Sequence, residues 1–422
     1  MATQLYFSRD TKVYVEFDGK VWELPVLDGF SFSQANNTSE ITLNEMESSA
    51  GVSRRGRRAF NDSLAPGEWS LSTYVRPFTS SASGNGAADG QAETHAVEEV
   101  LWGMMAGADN YDASTYDFDR DGSNVITPAS GTSAISFDQS NKSTLGTANI
   151  YFVMGDANRT VIKLKDSVVN EASIDFEIDG IATIAWSGQC SEVVDFTANT
   201  IEATSLPSNG DQTIGSTAVA VGDVWLDSDD SHRLYVMTNV TSSSEASTTH
   251  PVNEKTADTS NFIRNRLTTL TVNGSNTTGL ASSYDLTLTG GNVTISNNVT
   301  FITPEEIGLV NIPVGHVTGT RSVTGSFTCY MSVDTTQRGG AGNLSRDLFD
   351  DLRALTTTVT NNVGLTFSIG GGSGNRLEVV CATAHLEIPT HSIEDVISLE
   401  TNFQALPQTI DDTDEVTLTY KV

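Results

Sequence analysis

One short run of acidic residues has the spacing of a metal-binding loop. Asp117, Asp119 and Asp121 alternate with other residues and precede Gly122, which is how an EF-hand calcium loop opens. The twelfth position of such a loop should supply a bidentate carboxylate, but Pro128 stands there. No helical pattern flanks the run. We therefore interpret it as an acidic turn, keep calcium as the alternative, and predict neither a metal nor a cofactor.

The other residues that could do chemistry do not form a recognisable site. The six histidines are not clustered at ligand spacing, and no C-x-x-C or H-E-x-x-H motif is present to bind zinc. The glycine-rich run 370–374 lacks the Lys-Ser/Thr pair of a phosphate-binding loop, so it predicts a hairpin turn. No G-x-S-x-G nucleophile elbow occurs. We predict that the protein is not an enzyme. A carbohydrate-active enzyme on a β-sandwich is a rival, because a sequence cannot locate its carboxylate pair.

Composition and charge restrict the partners of the chain. It has 422 residues and a net charge of −30, with 53 acidic and 23 basic residues. Phosphate binding depends on Lys and Arg, so this balance argues against a protein that grips nucleic acid, and an anionic membrane surface would repel it. The acidity would suit either solubility or a wall along which DNA slides. No signal-peptide pattern and no apolar run of about 18 residues is present, and three scattered cysteines predict reduced core residues.

Alternating apolar residues predict a mainly β protein. A hairpin is expected where residues 13–17 and 20–24 flank Asp18-Gly19, and further strands are expected at 69–75, 150–154, 161–164, 172–178 and 181–186. An apolar stripe at helical spacing predicts one helix from about Glu93 to Met105. A polar insertion, about 108–148, follows that helix. Residues 221–226 and 234–237 predict a surface hairpin carried on a polar linker.

The chain also contains a long internal repeat. Phe30 and Phe32 match Leu286 and Leu288 at an offset of 256. At an offset of 258 the matches are Trp69, Leu71, Thr73 and Val75 with Phe327, Cys329, Met331 and Val333. The helix residues Val100, Leu101 and Met104 match Leu348, Phe349 and Leu352 at an offset of 248. Alternation alone can align two β-rich segments, so the shared position of a rare helix is the stronger sign of duplication.

This order of elements resembles the tube fold of bacteriophage tails and contractile injection systems. The segment most similar in style runs from Ala384 to Glu400. The resemblance implies two tandem tail-tube-type β-sandwich domains, each with one short flanking α-helix, whose inner sheets join those of neighbouring subunits into a β-barrel. We predict a first domain at 1–195, a linker with the hairpin at 196–261, and a second domain at 262–422.

The resemblance further implies a structural virion protein of the tail, assembled in the host cytoplasm. It would polymerise as stacked rings into a tube that conducts DNA from capsid to host. A duplicated chain implies homotrimeric, pseudo-hexameric rings, with a homohexamer as the alternative. The implied partners are the tape measure protein and genomic DNA in the lumen, the tail terminator, tail-tip or baseplate proteins, and a sheath protein if the tail is contractile.

One charged cluster is a candidate for contact between rings. Arg54, Arg55, Arg57 and Arg58 surround Gly56 in an otherwise acidic chain, and they could pair with an acidic surface of the next ring. A solvated loop is the alternative interpretation. The rival function is a receptor-binding or decoration protein of the virion, which would expose aromatic or arginine-rich patches.

Overall fold

The structure of the chain is a computed structural model. It describes residues 5–17, 19–41, 58–79, 94–107, 133–137, 145–156, 158–204, 213–214, 217–218, 220–237, 261–307, 310–332, 343–355, 362–409 and 414–422. Within these ranges the protein is mainly β, as predicted, with two α-helices. No helix in the described ranges is both long and apolar enough to cross a membrane.

Within the described ranges, the first half of the chain contains thirteen strands and one α-helix. They are β1 (Thr11–Phe17), β2 (Lys20–Leu24), β3 (Ser31–Ser33), β4 (Asn36–Ile41), β5 (Arg58–Leu64), β6 (Gly67–Tyr74), β7 (Pro77–Thr79), β8 (Thr94–Ala96), α1 (Glu99–Ala106), β9 (Ser133–Ser136), β10 (Ala148–Met154), β11 (Thr160–Glu177), β12 (Thr183–Cys190) and β13 (Glu192–Asp195). The predicted hairpin is formed by β1 and β2, where Gly19 takes a positive φ of 75° that suits glycine.

Five short strands follow, and then the second half begins. The short strands are β14 (Thr200–Ala203), β15 (Thr213–Ile214), β16 (Thr217–Ala218), β17 (Val224–Asp227) and β18 (Arg233–Val236). The second half contains β19 (Thr269–Asn273), β20 (Tyr284–Asp285), β21 (Leu288–Ser296), β22 (Thr300–Ile302), β23 (Gly315–Val317), β24 (Ser322–Tyr330), β25 (Asn343–Leu344), α2 (Ser345–Ala354), β26 (Val363–Ile369), β27 (Arg376–Leu386), β28 (Thr390–Ile393), β29 (Ile397–Ala405) and β30 (Thr417–Lys421).

The same order of strand pairing occurs in both halves. In the first half β1 pairs with β10 and β10 with β11; β11 then pairs with β12 and β13, and the ladder continues from β12 to β6 and β3. In the second half β19, β26 and β27 take the first three places. There β27 pairs with β29 and β30, and the ladder continues to β24 and β21. α1 comes after β6 in the chain, and α2 comes after β24, which takes the place of β6 in the second half. The predicted duplication is therefore present in the topology.

A β-bulge falls at the same place in both copies. The register shifts between Ala148 and Ile150 in the β10–β11 pair, and between Val363 and Leu365 in the β26–β27 pair. In each case the extra residue lies on the longer partner, between Leu164 and Ser167 or between Cys381 and Ala384. A bulge bends its strand, so β11 can pair with β10 and β13 before the bend and with β12 after it.

Two of the sequence predictions need correction. The helix predicted from Glu93 begins only at Glu99, because Thr94–Ala96 forms a strand with Pro77–Thr79 and the Val97 amide bonds to the Arg76 carbonyl. The match of Phe32 to Leu288 is also wrong: Phe32 lies opposite Trp69, whereas Gly291 lies opposite Phe327. A further bulge between Leu288 and Gly290 displaces the offset.

The two halves share one hydrophobic core. It contains the fully buried Trp22, Trp102 and Trp186 from the first half with Phe327 and Phe367 from the second. The β17–β18 hairpin, predicted from the sequence, is present and packs its apolar side against the first half. Val224, Leu226 and Leu234 are buried there against Tyr14 and Tyr151. Because β14 pairs in parallel with β17, this hairpin belongs to a small three-stranded sheet.

Candidate assembly surfaces

One sheet face runs across both halves of the chain. The strands follow the order β3, β6, β12, β11, β21, β24, β29 and β28, with every neighbouring pair antiparallel. Alternate residues of these strands point into the core, and the others form the outward face. One cross-strand row on that face consists of uncharged side chains, most of them small and polar: Ser72, Ala185, Ser173, Thr294, Thr324 and Gln404.

The charge of this face is of one sign. The part of β11 from Ser167 to Glu177 and the other seven strands of this sheet contain no lysine or arginine. The half-buried or exposed carboxylates of the face are Glu68, Glu171, Asp175, Glu177 and Glu400. Partial burial raises the pKa of Asp175, and the neighbouring charge of Glu177 raises it further. The face therefore combines hydroxyl and amide groups with negative charge.

The halves meet in a regular strand pair. Seven residues of β11, from Glu171 to Glu177, lie opposite Ser296 to Gly290 of β21. Near one end of this junction Phe176 faces Gly291, where an added Cβ would lie 2.8 Å from the Phe176 ring. The Phe176 ring packs against Phe367 at a centroid distance of 5.6 Å. On the outward face Ser173 and Thr294 hydroxyls are 3.1 Å apart. The junction is thus a packed continuation of the sheet.

The two outer strands of this sheet each keep a free edge. Within the described ranges, β3 pairs with β6 and no other strand, and β28 pairs with β29 and no other. Next to the β28 edge, Ile388 and Ile393 are 56% and 77% exposed. Free strand edges and exposed aliphatic side chains are an aggregation hazard in a monomer, and they are natural contacts in an assembly.

Hairpin arms extend the β3-to-β6 and β21-to-β24 connections. The first arm is formed by β4 and β5, and the second by β22 and β23. The arms touch each other: the Leu64 amide donates to the Asn311 carbonyl at 2.8 Å, and Asn311 donates back to the Asp62 carbonyl. Of the four predicted contact arginines, Arg58 begins β5, opposite Ile41. Arg54, Arg55 and Arg57 lie outside the described residues, as do the calcium candidates Asp117, Asp119 and Asp121.

A buried polar network joins the helix of the first half to the last strand. The Glu98 carboxylate accepts a 2.7 Å hydrogen bond from Tyr420, whose hydroxyl also accepts from the Trp102 indole at 2.8 Å. The Arg76 amide lies 3.3 Å from both Glu98 oxygens. Burial raises the pKa of Glu98 to about 7, and it raises the pKa of Tyr420 well above its usual range. Sequence patterns gave no sign of this contact between residues 322 positions apart.

Nothing in the described ranges gathers three metal-ligating side chains into a cluster. His95 lies 3.0 Å from Glu99, and both side chains are buried. The three cysteines are buried core residues with free thiols, as predicted, and burial raises each thiol pKa to about 12.

Comparison with known proteins decides the family. Over 400 residues the chain is 26% identical to the tail tube protein pb6 of Escherichia phage T5, across 93% of this chain and 69% of that protein. No family model matches the chain. This similarity supports a bacteriophage tail tube protein. Its role is structural, and its place is the tail of the virion.

The surfaces described above suit a tail tube protein, because a tube is built from repeated contacts between copies of one chain. The repeat was predicted from the sequence, but the free edges and the β11–β21 junction were not. One signal was present in the sequence: Ile178 and Ile181 flank Asp179-Gly180, and Ile393 and Val396 flank Glu394-Asp395.

Proposed function

We propose that three copies of this tail tube protein close into a pseudo-hexameric ring, and that the rings stack into the tube that conducts DNA. The observation that carries the proposal is the β11–β21 junction, which joins the two repeats of one chain edge to edge. The free edges at the ends of the sheet are the same two kinds of strand. In the second repeat β28 follows β27 and takes the place of the second part of β11 in the first repeat. In the first repeat β3 takes the place that β21 has in the second.

The junction therefore supplies a template for the contact between chains. If β28 of one chain pairs with β3 of the next, each ring repeats one kind of junction, alternately within and between chains. Closing the sheet in this way removes both free edges of this sheet face. A ring of six tube units needs three chains when each chain contains two units, and six chains when each contains one. A homohexamer is the alternative, and a mass measurement distinguishes it from the trimer.

The outward sheet face is proposed to line the lumen. Its carboxylates repel DNA phosphates, and the lack of lysine and arginine in its strands leaves no cation to hold them. Small hydroxyl and amide side chains keep the wall wetted. The tape measure protein would occupy the same lumen before DNA. We place the function in assembly and not in catalysis, with no metal or cofactor.

Other contacts follow from the tube role. The arm arginines Arg54, Arg55, Arg57 and Arg58 are proposed to meet acidic residues of the next ring, and reversal of all four charges should prevent polymerisation while the chain stays folded. The tube ends are proposed to meet the tail terminator and the tail-tip or baseplate proteins, and its outside a sheath if the tail contracts.

A designed disulfide tests the ring directly. Ser167 and Ala384 take equivalent places at the two β-bulges. Counting eight residues from each makes Ser392 the equivalent of Asp175, which faces Asn292 at the junction. Ser33 is the equivalent of Asn292, because Ser33 lies opposite Glu68 on β6 and Asn292 lies opposite Ser326 on β24. The predicted partner of Ser392 is therefore Ser33 of the next chain. The two edges of one chain are separated by about seven strand spacings of 4.8 Å, so they cannot join within a chain.

The double variant S33C/S392C should give, on oxidation, covalent species that stop at three chains on a non-reducing gel. Each single variant is the matched control and should stay monomeric under the same conditions. A series that stops at six would establish the hexameric alternative. Negative-stain electron microscopy and native mass measurement of the unmodified protein should show hollow tubes or rings of three; a persistent monomer without tubes would contradict the ring.

A further inference from the structure

The two ends of the sheet carry different elements, and this inference rests on the proposed function. β6, β11, β24 and β28 all run in one direction, because their neighbours alternate antiparallel between them. Both arms enter β6 and β24 at the end where these strands begin. Both tight turns, β11 to β12 and β28 to β29, lie at the end where the strands finish. We call these ends the arm rim and the turn rim.

The arm rim presents an aliphatic surface. The second arm exposes six branched aliphatic residues, which are Ile302, Ile307, Val310, Ile312, Val314 and Val317. Val314 is 71% exposed and Ile307 is completely exposed. The arm is not a free tail, because Asn311 in its middle is bonded through its backbone to Asp62 and Leu64 of the first arm. A held hairpin with this many exposed aliphatic residues is an interaction surface.

The turn rim presents aliphatic residues twice. The first turn, Ile178 to Ile181, has two exposed isoleucines around Asp179 and Gly180. The second turn, Ile393 to Ile397, has three exposed aliphatic residues around Glu394 and Asp395. Because the two turns close equivalent hairpins in the two repeats, a ring of three chains would carry this aliphatic feature six times, evenly placed around one end.

We infer that the second arm of one copy docks on the turn rim of a second copy, and that this aliphatic contact stacks the rings. A second copy is the occupant because every chain presents both surfaces at opposite ends of the same strands, in a protein that assembles with itself into a tube. Such a head-to-tail contact leaves both surfaces open at the ends and therefore propagates. Burial of aliphatic surface supplies the attraction.

A pair of variants separates stacking from ring formation. In I181D/V396D one aspartate is placed on each turn of the rim, and V314D changes the arm. Both should form rings of three chains with unchanged mass and fail to form tubes. V221D is the matched control, since Val221 is a similarly exposed valine in the turn before β17, and it should form normal tubes. Tubes of normal length from I181D/V396D would overturn the inference while leaving the ring intact. Absence of rings from the unmodified protein would instead count against the proposed function.

A cross-link gives the positive test. In I307C/V396C the two cysteines lie on opposite rims, about 25 Å apart along an eight-residue strand, so only different chains can join. The three native thiols are buried and do not compete. Mild oxidation of assembled tubes should produce a ladder of linked chains, and the I307C and V396C single variants should not. Tubes of the double variant that oxidise to monomers alone would refute the contact.

Discussion

Replacing Glu98 with glutamine should remove a pH-dependent part of the stability of the chain. The Glu98 carboxylate is completely buried between α1 and β30, where Tyr420 and the Arg76 amide donate hydrogen bonds to it. Burial raises its pKa from the ordinary 4.5 to about 7, and these hydrogen bonds offset only part of that effect. The folded chain therefore binds this proton more tightly than the unfolded chain does.

The sign and size of the effect follow from linkage. Stability from the protonated carboxyl is fully present below pH 4.5 and is lost as the pH rises through 7. The change in the pKa of Glu98 from 4.5 to about 7 corresponds to about 3 kcal/mol of unfolding free energy, because one pKa unit is worth about 1.4 kcal/mol. Glutamine has no proton to lose over this range. The unfolding free energy of E98Q, taken relative to the unmodified chain, should therefore rise by about 3 kcal/mol between pH 4 and pH 8.

Urea unfolding of the unassembled chain, followed by tryptophan fluorescence at several pH values, measures this difference. E400Q is the matched control, because it removes an exposed carboxylate of the sheet face. Its difference from the unmodified chain should stay nearly constant with pH. If E98Q and the unmodified chain keep the same difference from pH 4 to pH 8, burial of Glu98 does not raise its pKa and the reasoning fails.

Three further predictions use the same unfolding assay or a thiol reagent. G188A should lose about 3 kcal/mol, since its Cβ would lie 2.1 Å from the Val168 carbonyl oxygen, whereas G315A, with open space around it, should change stability by less than about 1 kcal/mol. F176A should lose about 3–5 kcal/mol, because it empties the junction beside Phe367, and a loss below about 1 kcal/mol would contradict a packed junction. At pH 8 a thiol reagent should leave the native chain unmodified and label three cysteines in urea; rapid labelling of the native chain would show that the thiols are accessible.

Local patterns predicted strands well where one face of a strand is buried. In β6 the alternation of Trp69, Leu71 and Thr73 with polar residues matches the buried and outward sides. The hairpin of β1 and β2 was found because Asp-Gly fixes the turn and both flanks alternate. The predicted turn at the glycine-rich run was also correct, as Gly370, Gly371 and Gly374 have positive φ between β26 and β27.

The first helix shows why a pattern can give an element and miss its beginning. All eight residues of α1 are buried, including Glu99, so no polar face marks its ends. The second helix is amphipathic, and Asp347 accepts a 2.8 Å hydrogen bond from the Leu344 amide at its start. The beginning of α1 depends instead on the β7–β8 pair that precedes it, which residue types did not reveal.

Neighbouring strands could not be predicted, because alternation defines the faces of a strand and not the strand beside it. The β11–β21 junction joins the two repeats across more than a hundred residues, and β30 pairs with β9 from the insertion of the first repeat. Both pairings depend on the packing of the whole chain. The candidate assembly surfaces were missed for this reason, although the residues that form them are plain in the sequence.

Covalent linkage of two tube units also explains how their arms could diverge. In a ring of six identical chains every arm must make the same contact, so a change in one arm changes all six. In a duplicated chain the two arms alternate around the ring and can differ. Here the segment of the first arm carries four arginines, whereas at an offset of 258 the second arm has Ile312, Pro313, Gly315 and His316.

If the first arm supplies charge pairing and the second aliphatic burial, high salt should weaken only the first. V314D tubes should then be lost at every salt concentration, whereas the four-arginine charge reversal should be partly rescued by salt, because ions screen repulsion and leave apolar burial intact. Equal salt responses of the two variants would show that the arms do not divide these roles.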